Sequence, residues 1–277
     1  MIEQSEPAPA ADRGSGAWAR VIAMEAINNF RDYGDVPAAQ GRVRKGLLFR
    51  SAHHARATAG DAATLSRLGV RTVTDLRGPT EQRDQPSTWR GTLAVRVIEE
   101  LADAGEESQE APHHAALREG DFSAKAMRDY LEAHYAEMPY DGRHVQLFRT
   151  YFAALAEEPG GMLIHCAAGK DRTGILAWLT HHLLGVHADD AMEDYLLSND
   201  AANIAERLPL VRARMEQTYG RPIAEEAMLG MLQVRPEFIA NCLRALDARS
   251  GSVDAYLRDV VGVDQARAEV IRARLIA

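Results

Sequence analysis

Gly161-Met162-Leu163-Ile164-His165-Cys166-Ala167-Ala168-Gly169-Lys170-Asp171-Arg172-Thr173-Gly174-Ile175-Leu176 is the stretch whose reading decides the fold. Gly161 to Ile164 reads as a short buried strand. Ile175, Leu176, Trp178, Leu179, Leu183 and Leu184 then recur at helical spacing until Gly185 offers a stop. Between them lies a turn from a strand end into a helix start. The N–H groups of such a turn and of the first helical turn have no intrahelical partners, and the helix dipole adds partial positive charge. The geometry suits a tetrahedral anion held by Ala167, Ala168, Gly169, Lys170, Asp171 and Arg172.

Cys166 stands at the mouth of this turn. A helix N-terminus beside a guanidinium favours the thiolate form of a cysteine, the form that acts as a nucleophile. Arg172, six positions on, carries a planar fork of donors that matches two oxygens of a phosphoryl group better than a lysine would. The pattern implies a thiolate attacking phosphorus while loop amides and Arg172 hold the equatorial oxygens. The competing reading of Cys166 is a buried structural thiol, and that of Thr173 an ordinary residue at a helix start.

His-Cys, five residues, Arg and Thr resembles the signature loop of the cysteine-dependent protein tyrosine phosphatases. The inner Ala-Ala-Gly-Lys-Asp-Arg is similar to their atypical bacterial branch, and so are Asn29-Phe30-Arg31-Asp32, Leu48-Phe49-Arg50-Ser51, Thr74-Asp75-Leu76-Arg77 and the run Gly251-Ser252-Val253 with Gly262-Val263. The resemblance runs from about residue 20 to the C-terminus. It implies a three-layer α/β fold with a mostly parallel central sheet, and activity on phosphotyrosine, with phosphoserine, phosphothreonine and phosphoinositides as further substrate classes. It also implies that His165 orients the loop, that Thr173 hydrogen-bonds the sulfur, and that Asp171 serves as the general acid. Arg31 and Arg50 match family motifs and are expected to buttress the loop. The other reading of Asp171 is an ion pair with Arg31, Arg50 or Arg77. Asp75 is the second candidate acid and Asp141 the third. Lys170 adds charge at the rim, for a second phosphate or simply in solvent. Two readings from other classes remain, a non-catalytic phosphate-recognition module and a sulfurtransferase using the same cysteine loop.

The chain is long enough for one large domain. Of its 277 residues 46% are hydrophobic and 26% charged, as in ordinary globular proteins. Its net charge of −8 argues against nucleic-acid binding and against attachment to anionic membranes. With two cysteines, a disulfide would consume the nucleophile, so a reducing, cytoplasmic setting is expected. No stretch has the length of a membrane span and no secretory signal is legible, which leaves signal-independent export open. The chemistry calls for no metal and no cofactor. The doublets His53-His54, His113-His114 and His181-His182 lack the carboxylate or cysteine neighbours of a metal site. Oligomeric state is not legible.

Residues 1–17 read as a disordered tail and 18–277 as a single domain. Leu47-Leu48-Phe49, Val70 to Leu76 and Leu93 to Ile98 read as strands, and Thr58 as the cap of a helix with Asp61 in its first turn. Strands alternating with helices argue for a parallel-leaning sheet, with the site beyond the carboxyl ends of its strands. Residues 102–142 are a possible lid insertion: a polar stretch, then a helix capped by Ser123 that is either mobile or simply packed. The C-terminal half is helical, with segments starting near Asp189, Ser198, Pro222, Pro236, Ser252 and Asp264, and Cys242 on an apolar helix face.

Overall fold

In a computed structural model, which describes residues 16–100 and 123–277, the chain builds a five-stranded sheet and a small hairpin. In chain order the strands are β1 (Arg31–Asp32), β2 (Pro37–Ala38), β3 (Gly41–Arg42), β4 (Leu48–Ser51), β5 (Val70–Asp75), β6 (Arg96–Ile98) and β7 (Gly161–His165). The sheet order is β1-β4-β7-β5-β6; β2 pairs with β3, and its Ala38 also bridges Val186. β7 runs parallel to both β4 and β5, and β6 is parallel to β5. Only the edge strand β1 is antiparallel. The sheet is therefore mostly parallel, as the alternation of strands and helices implies.

Each central strand divides its side chains between two cores. Leu48, Met162 and Ile164 face one apolar cluster, with Phe148, Tyr151 and Leu176. Phe49 and Leu163 face the other, with Phe30, Leu65 and Trp89. This period-two alternation, with helices beyond each face, makes three layers. The register sets Ser51 and Asp75 beside His165, so three chain ends meet at the carboxyl edge of the sheet, one residue before Cys166.

The helices before the site are α1 (Ala59–Arg67), α2 (Pro79–Asp84), α3 (Ala124–Glu137) and α4 (Gly142–Glu157). Thr58 caps α1 as expected: its hydroxyl accepts from the Asp61 N–H at 3.1 Å, and the Asp61 carboxylate accepts from the Thr58 N–H at 3.0 Å. The same buried carboxylate also takes the N–H groups of Glu25 and Ala26, which ties the N-terminal segment to α1. α3 is a packed helix, with Met127, Leu131 and Tyr135 buried. Residues 102–122 of the expected insertion lie outside the described residues, as does the expected tail apart from Gly16 and Ala17, which open a 3-10 turn at Gly16–Arg20.

From the site onward come α5 (Asp171–Leu183), α6 (Ala188–Leu196), α7 (Ser198–Ala201), α8 (Ile204–Tyr219), α9 (Glu225–Leu232), α10 (Pro236–Ser250), α11 (Val253–Ala255), a π turn (Tyr256–Val260) and α12 (Gln265–Leu275). α5 is buried along most of its length, from Thr173 through His181, and forms the spine of one layer. Two expectations need correction. The segment begun at Ser198 stops after four residues, because Asn203 turns left-handed at φ +50° and starts α8 afresh, with Pro209 inside it. The helix expected at Pro222 begins three residues later, at Glu225. Cys242 lies in the core, where burial pushes its thiol up to about 12. Among the described residues no helix is long and apolar enough to cross a membrane.

Candidate active site

β7 delivers Cys166 and α5 carries Arg172 back, so a tight loop must join a strand end to a helix start. The carbonyls from Ala167 to Lys170 are each held by a donor. Ala167 O accepts from the His53 N–H at 3.2 Å. The Asn29 side-chain amide donates to Ala168 O at 3.1 Å and to Gly169 O at 3.0 Å. Arg50 Nη2 reaches the same Gly169 O at 3.0 Å, and Lys170 O takes the Gly174 N–H at 2.8 Å as the first bond of α5. The N–H groups of Ala167, Ala168, Gly169 and Lys170 find no partner among the described residues. With the carbonyls so held, these amides form a concave array at the positive end of α5, the arrangement that binds a tetrahedral oxyanion.

Gly169 is required by this loop. Its φ is +69°, and a Cβ there would land on the carbonyl of Ser51. Gly169→Ala is expected to destabilise the fold by more than about 1 kcal/mol from the backbone conformation alone, and to abolish turnover by opening the loop. Thermal melting and phosphate release would read the two effects.

The hold on the loop traces back to one carboxylate that the sequence did not single out. Asp194, on α6 and 1% exposed, accepts from Arg31 Nε at 2.9 Å and from Arg50 Nη1 at 2.6 Å. Arg31 in turn donates to the side-chain oxygen of Asn29, so both anchors of the loop hang from Asp194. The Asp194 carboxyl is depressed far below the ordinary carboxylate range. Burial opposes that shift, and the charges of Arg31 and Arg50 more than reverse it. Arg31 itself drops to about 9, chiefly through burial and then through Arg50. Its signal in sequence was its place on the buried stripe of α6, with Ala191 and Tyr195.

Cys166 is 2% exposed. Arg172 is held by a second residue not singled out, Glu81 in the first turn of α2, through bonds of 2.5 Å and 2.9 Å to its two oxygens. Burial works against the Arg172 charge, but Glu81, then Cys166 and Asp171, hold it above the usual guanidinium range. The bidentate grip fixes the plane of the fork. The Thr173 hydroxyl is fully buried and has no hydrogen-bond partner among the described residues.

Asp171 remains partly accessible, with 21% of its side chain exposed, and lies 3.5 Å from Lys170 Nζ. It accepts from the Tyr135 hydroxyl at 2.8 Å, which also contacts the Tyr195 hydroxyl at 2.7 Å. Gly174 admits that tyrosine pair, since a Cβ there would sit 2.9 Å from the Tyr195 ring. Asp171 pairs with none of Arg31, Arg50 and Arg77; the first two belong to Asp194 and the third to Asp75. Lys170 is 7% exposed rather than free at the rim: its ammonium also donates to Met231 O at 2.5 Å, at the end of α9.

Asp75 occupies a different environment. It is 1% exposed and accepts from Arg77 Nε at 2.9 Å and Nη2 at 2.7 Å. Burial raises its pKa, but His165 and Arg77 outweigh that, and the carboxyl is held below its ordinary range. His165 is fully buried and stacks on His54 with ring centroids 4.4 Å apart. His54 must be neutral to hold its place: the Trp89 indole N–H donates to Nδ1 at 2.8 Å, which leaves the proton on Nε2 for the Ser51 hydroxyl at 2.9 Å. Burial, and then the neighbouring His165, keep it so. Asp141 caps α4, accepting the His144 N–H at 3.1 Å. Among the described residues no three His, Cys, Asp or Glu side chains are grouped to hold a metal. His181 is committed to Tyr33 O and His182 to Asp254.

A cysteine seated beside a row of open amides, with a clamped guanidinium at its sixth place, is an arrangement whose chemistry suits a phosphoryl group. Residues 22–277 match the tyrosine phosphatase family, and the chain belongs to it. It is 32% identical over 259 residues to a provisionally named tyrosine-protein phosphatase of Cupriavidus necator, covering 89% of this chain and 86% of that one. It is also 32% identical over 291 residues to PtpB of Mycobacterium tuberculosis, named a triple specificity protein phosphatase, covering 94% of this chain and 97% of that one. A crystal structure of TpbA from P. aeruginosa, in complex with phosphotyrosine, is 21% identical with a TM-score of 0.30, covering 67% of this chain and 86% of that one.

Proposed function

We propose that this protein hydrolyses phosphotyrosine in proteins through a cysteinyl-phosphate, with Cys166 as nucleophile. The observation that carries the reading is the loop itself: each carbonyl from Ala167 to Lys170 is held by a donor while the amides of the same residues stay open among the described residues, beside an Arg172 oriented by Glu81. Sγ attacks phosphorus, the P–O bond to the leaving oxygen breaks, and the amides and Arg172 take the charge on the equatorial oxygens. Water then cleaves the S–P bond. The buried, unpartnered hydroxyl of Thr173 suits a hydrogen bond to the departing sulfur. Two free cysteines, one of which works only while reduced, suit a reducing compartment such as the cytoplasm. The name of the tuberculosis relative supports substrates beyond phosphotyrosine, with phosphoserine, phosphothreonine and phosphoinositides as the classes to test.

For the general acid we favour Asp171 over Asp75. Asp171 is partly accessible beside the cup, and the hydrogen bond it accepts from the Tyr135 hydroxyl orients its carboxyl. Asp75 is sealed in, and His165 and Arg77 together hold its carboxyl below the ordinary range, which disfavours the protonated form a general acid needs. Asp171→Asn is expected to slow phenyl phosphate by about 10²–10³-fold, and p-nitrophenyl phosphate much less, because nitrophenolate leaves without protonation. A flat response to leaving-group basicity in this variant would assign the acid elsewhere.

A further inference from the structure

We propose that Tyr135 is the positioning residue of the general acid: its hydroxyl, aimed by Tyr195, occupies one carboxyl oxygen of Asp171 and so assigns the proton transfer to the other. The proposal rests on the reading of Asp171 as the acid and adds how its carboxyl is held.

A carboxyl on the first residue of a helix, 21% exposed, turns about two side-chain bonds unless a neighbour fixes it. That neighbour comes from α3. Tyr135 lies on the buried stripe of that helix with Met127 and Leu131 and is fully buried. Its ring packs on Phe238 with centroids 5.4 Å apart and meets Tyr195 edge-on at 6.5 Å. Its hydroxyl donates to Asp171 Oδ1 at 2.8 Å. A phenol has one proton, so the 2.7 Å contact between the two tyrosine hydroxyls is donated by Tyr195. The chain of donors therefore runs one way, from Tyr195 through Tyr135 to Asp171. Burial, and then the Asp171 charge, hold both phenols well above their ordinary range, so neither tyrosine gives its proton to a leaving group. Tyr195 follows Asp194 on α6, so neighbouring residues of one helix hold the loop and the acid.

The two oxygens of Asp171 are thereby unequal. Oδ1 accepts from Tyr135 in either protonation state, since a carboxylate oxygen and the carbonyl oxygen of a carboxylic acid both accept. Oδ2 faces the Lys170 ammonium at 3.5 Å, and Met231 O holds that ammonium in place. The transferred proton thus rides on Oδ2. As Sγ bonds to phosphorus and the P–O bond breaks, the Oδ2 proton passes to the leaving oxygen, and Lys170 steadies the carboxylate left behind. In the second step the same oxygen takes a proton from the attacking water. Fixing the carboxyl matters because a donor out of reach of the leaving oxygen contributes nothing to its departure.

The test sets Tyr135→Phe, which keeps the ring and removes the hydroxyl, against phenyl phosphate and p-nitrophenyl phosphate. For phenyl phosphate kcat is expected to fall about tenfold, as for one hydrogen bond to a charged group, with KM little moved. The p-nitrophenyl ester, whose leaving group needs no proton, should slow much less. Placed in the Asp171→Asn protein, Tyr135→Phe should add almost nothing, because the acid it serves is gone. Tyr195→Phe, one bond further out, should show the same pattern more weakly, and it carries the test if Tyr135→Phe does not fold. Equal slowing of both esters, a loss that adds fully to that of Asp171→Asn, or an undiminished phenyl phosphate rate overturns the proposal. An Asp171→Asn protein that treats both esters alike would remove Asp171 as the acid and this proposal with it. A wild type that hydrolyses neither ester would overturn the phosphatase reading itself.

Discussion

Cys166→Ser is expected to release no measurable phosphate from p-nitrophenyl phosphate or phosphotyrosyl peptide, a loss on the order of 10⁴–10⁶ as for other catalytic nucleophiles. The hydroxyl fits the same space, so the fold and the cup should persist: only Sγ is replaced, and the anchors of the loop are backbone and side-chain groups elsewhere. The variant should therefore bind phosphorylated peptide while failing to turn it over. Phosphate release and equilibrium binding, measured on the same preparation, separate these outcomes. Residual hydrolysis at the wild-type rate would rule out the covalent route. A wild type that bound phosphopeptides and released no phosphate would instead be a recognition module, and thiosulfate-dependent cyanide consumption would mark a sulfurtransferase.

Asp194→Asn should have the second-largest effect. Removing the charge leaves two buried guanidiniums, Arg31 and Arg50, facing each other without their shared counter-ion. Breaking a buried pair in this way costs about 3–5 kcal/mol. The loss is functional as well, because the donors that hold Ala168 O and Gly169 O are the ones Asp194 positions. Chemical denaturation and kcat/KM should therefore fall together. The sign of the pH dependence follows from the depressed native carboxyl: its stabilisation is present above the unfolded value, about 3.9, and is lost as pH falls toward the native one. The variant's stability should accordingly fall less steeply than the wild type's below pH 4.

What was legible in sequence is what is written locally. The strand, turn and helix around Cys166 show as a burial run, a glycine and a helical period within about twenty residues, and the α1 cap shows as Thr58 with Asp61. The roles of Asp194 and Glu81 depend on contacts 144 and 91 residues away, to Arg50 and Arg172. Asp189, Asp190 and Glu193 are near neighbours of Asp194 and equally acidic, and only the buried stripe of α6 distinguishes it. The two-residue strands β1 to β3 are too short for any alternation to be read. Lys170 read as a rim charge because its partner, the Met231 carbonyl, is backbone and leaves no mark in composition. The break between α7 and α8 left no local mark, because it rests on Asn203 turning left-handed rather than on a glycine or proline at that place.

The margins of the sheet have a bearing on how the molecule behaves in company. β1 offers two residues and β6 three, so an incoming extended segment from another copy would find only a few peptide groups to zip onto. Edge-to-edge joining of sheets from two copies is thereby starved of a template, and concentrated preparations should resist aggregation through these two borders.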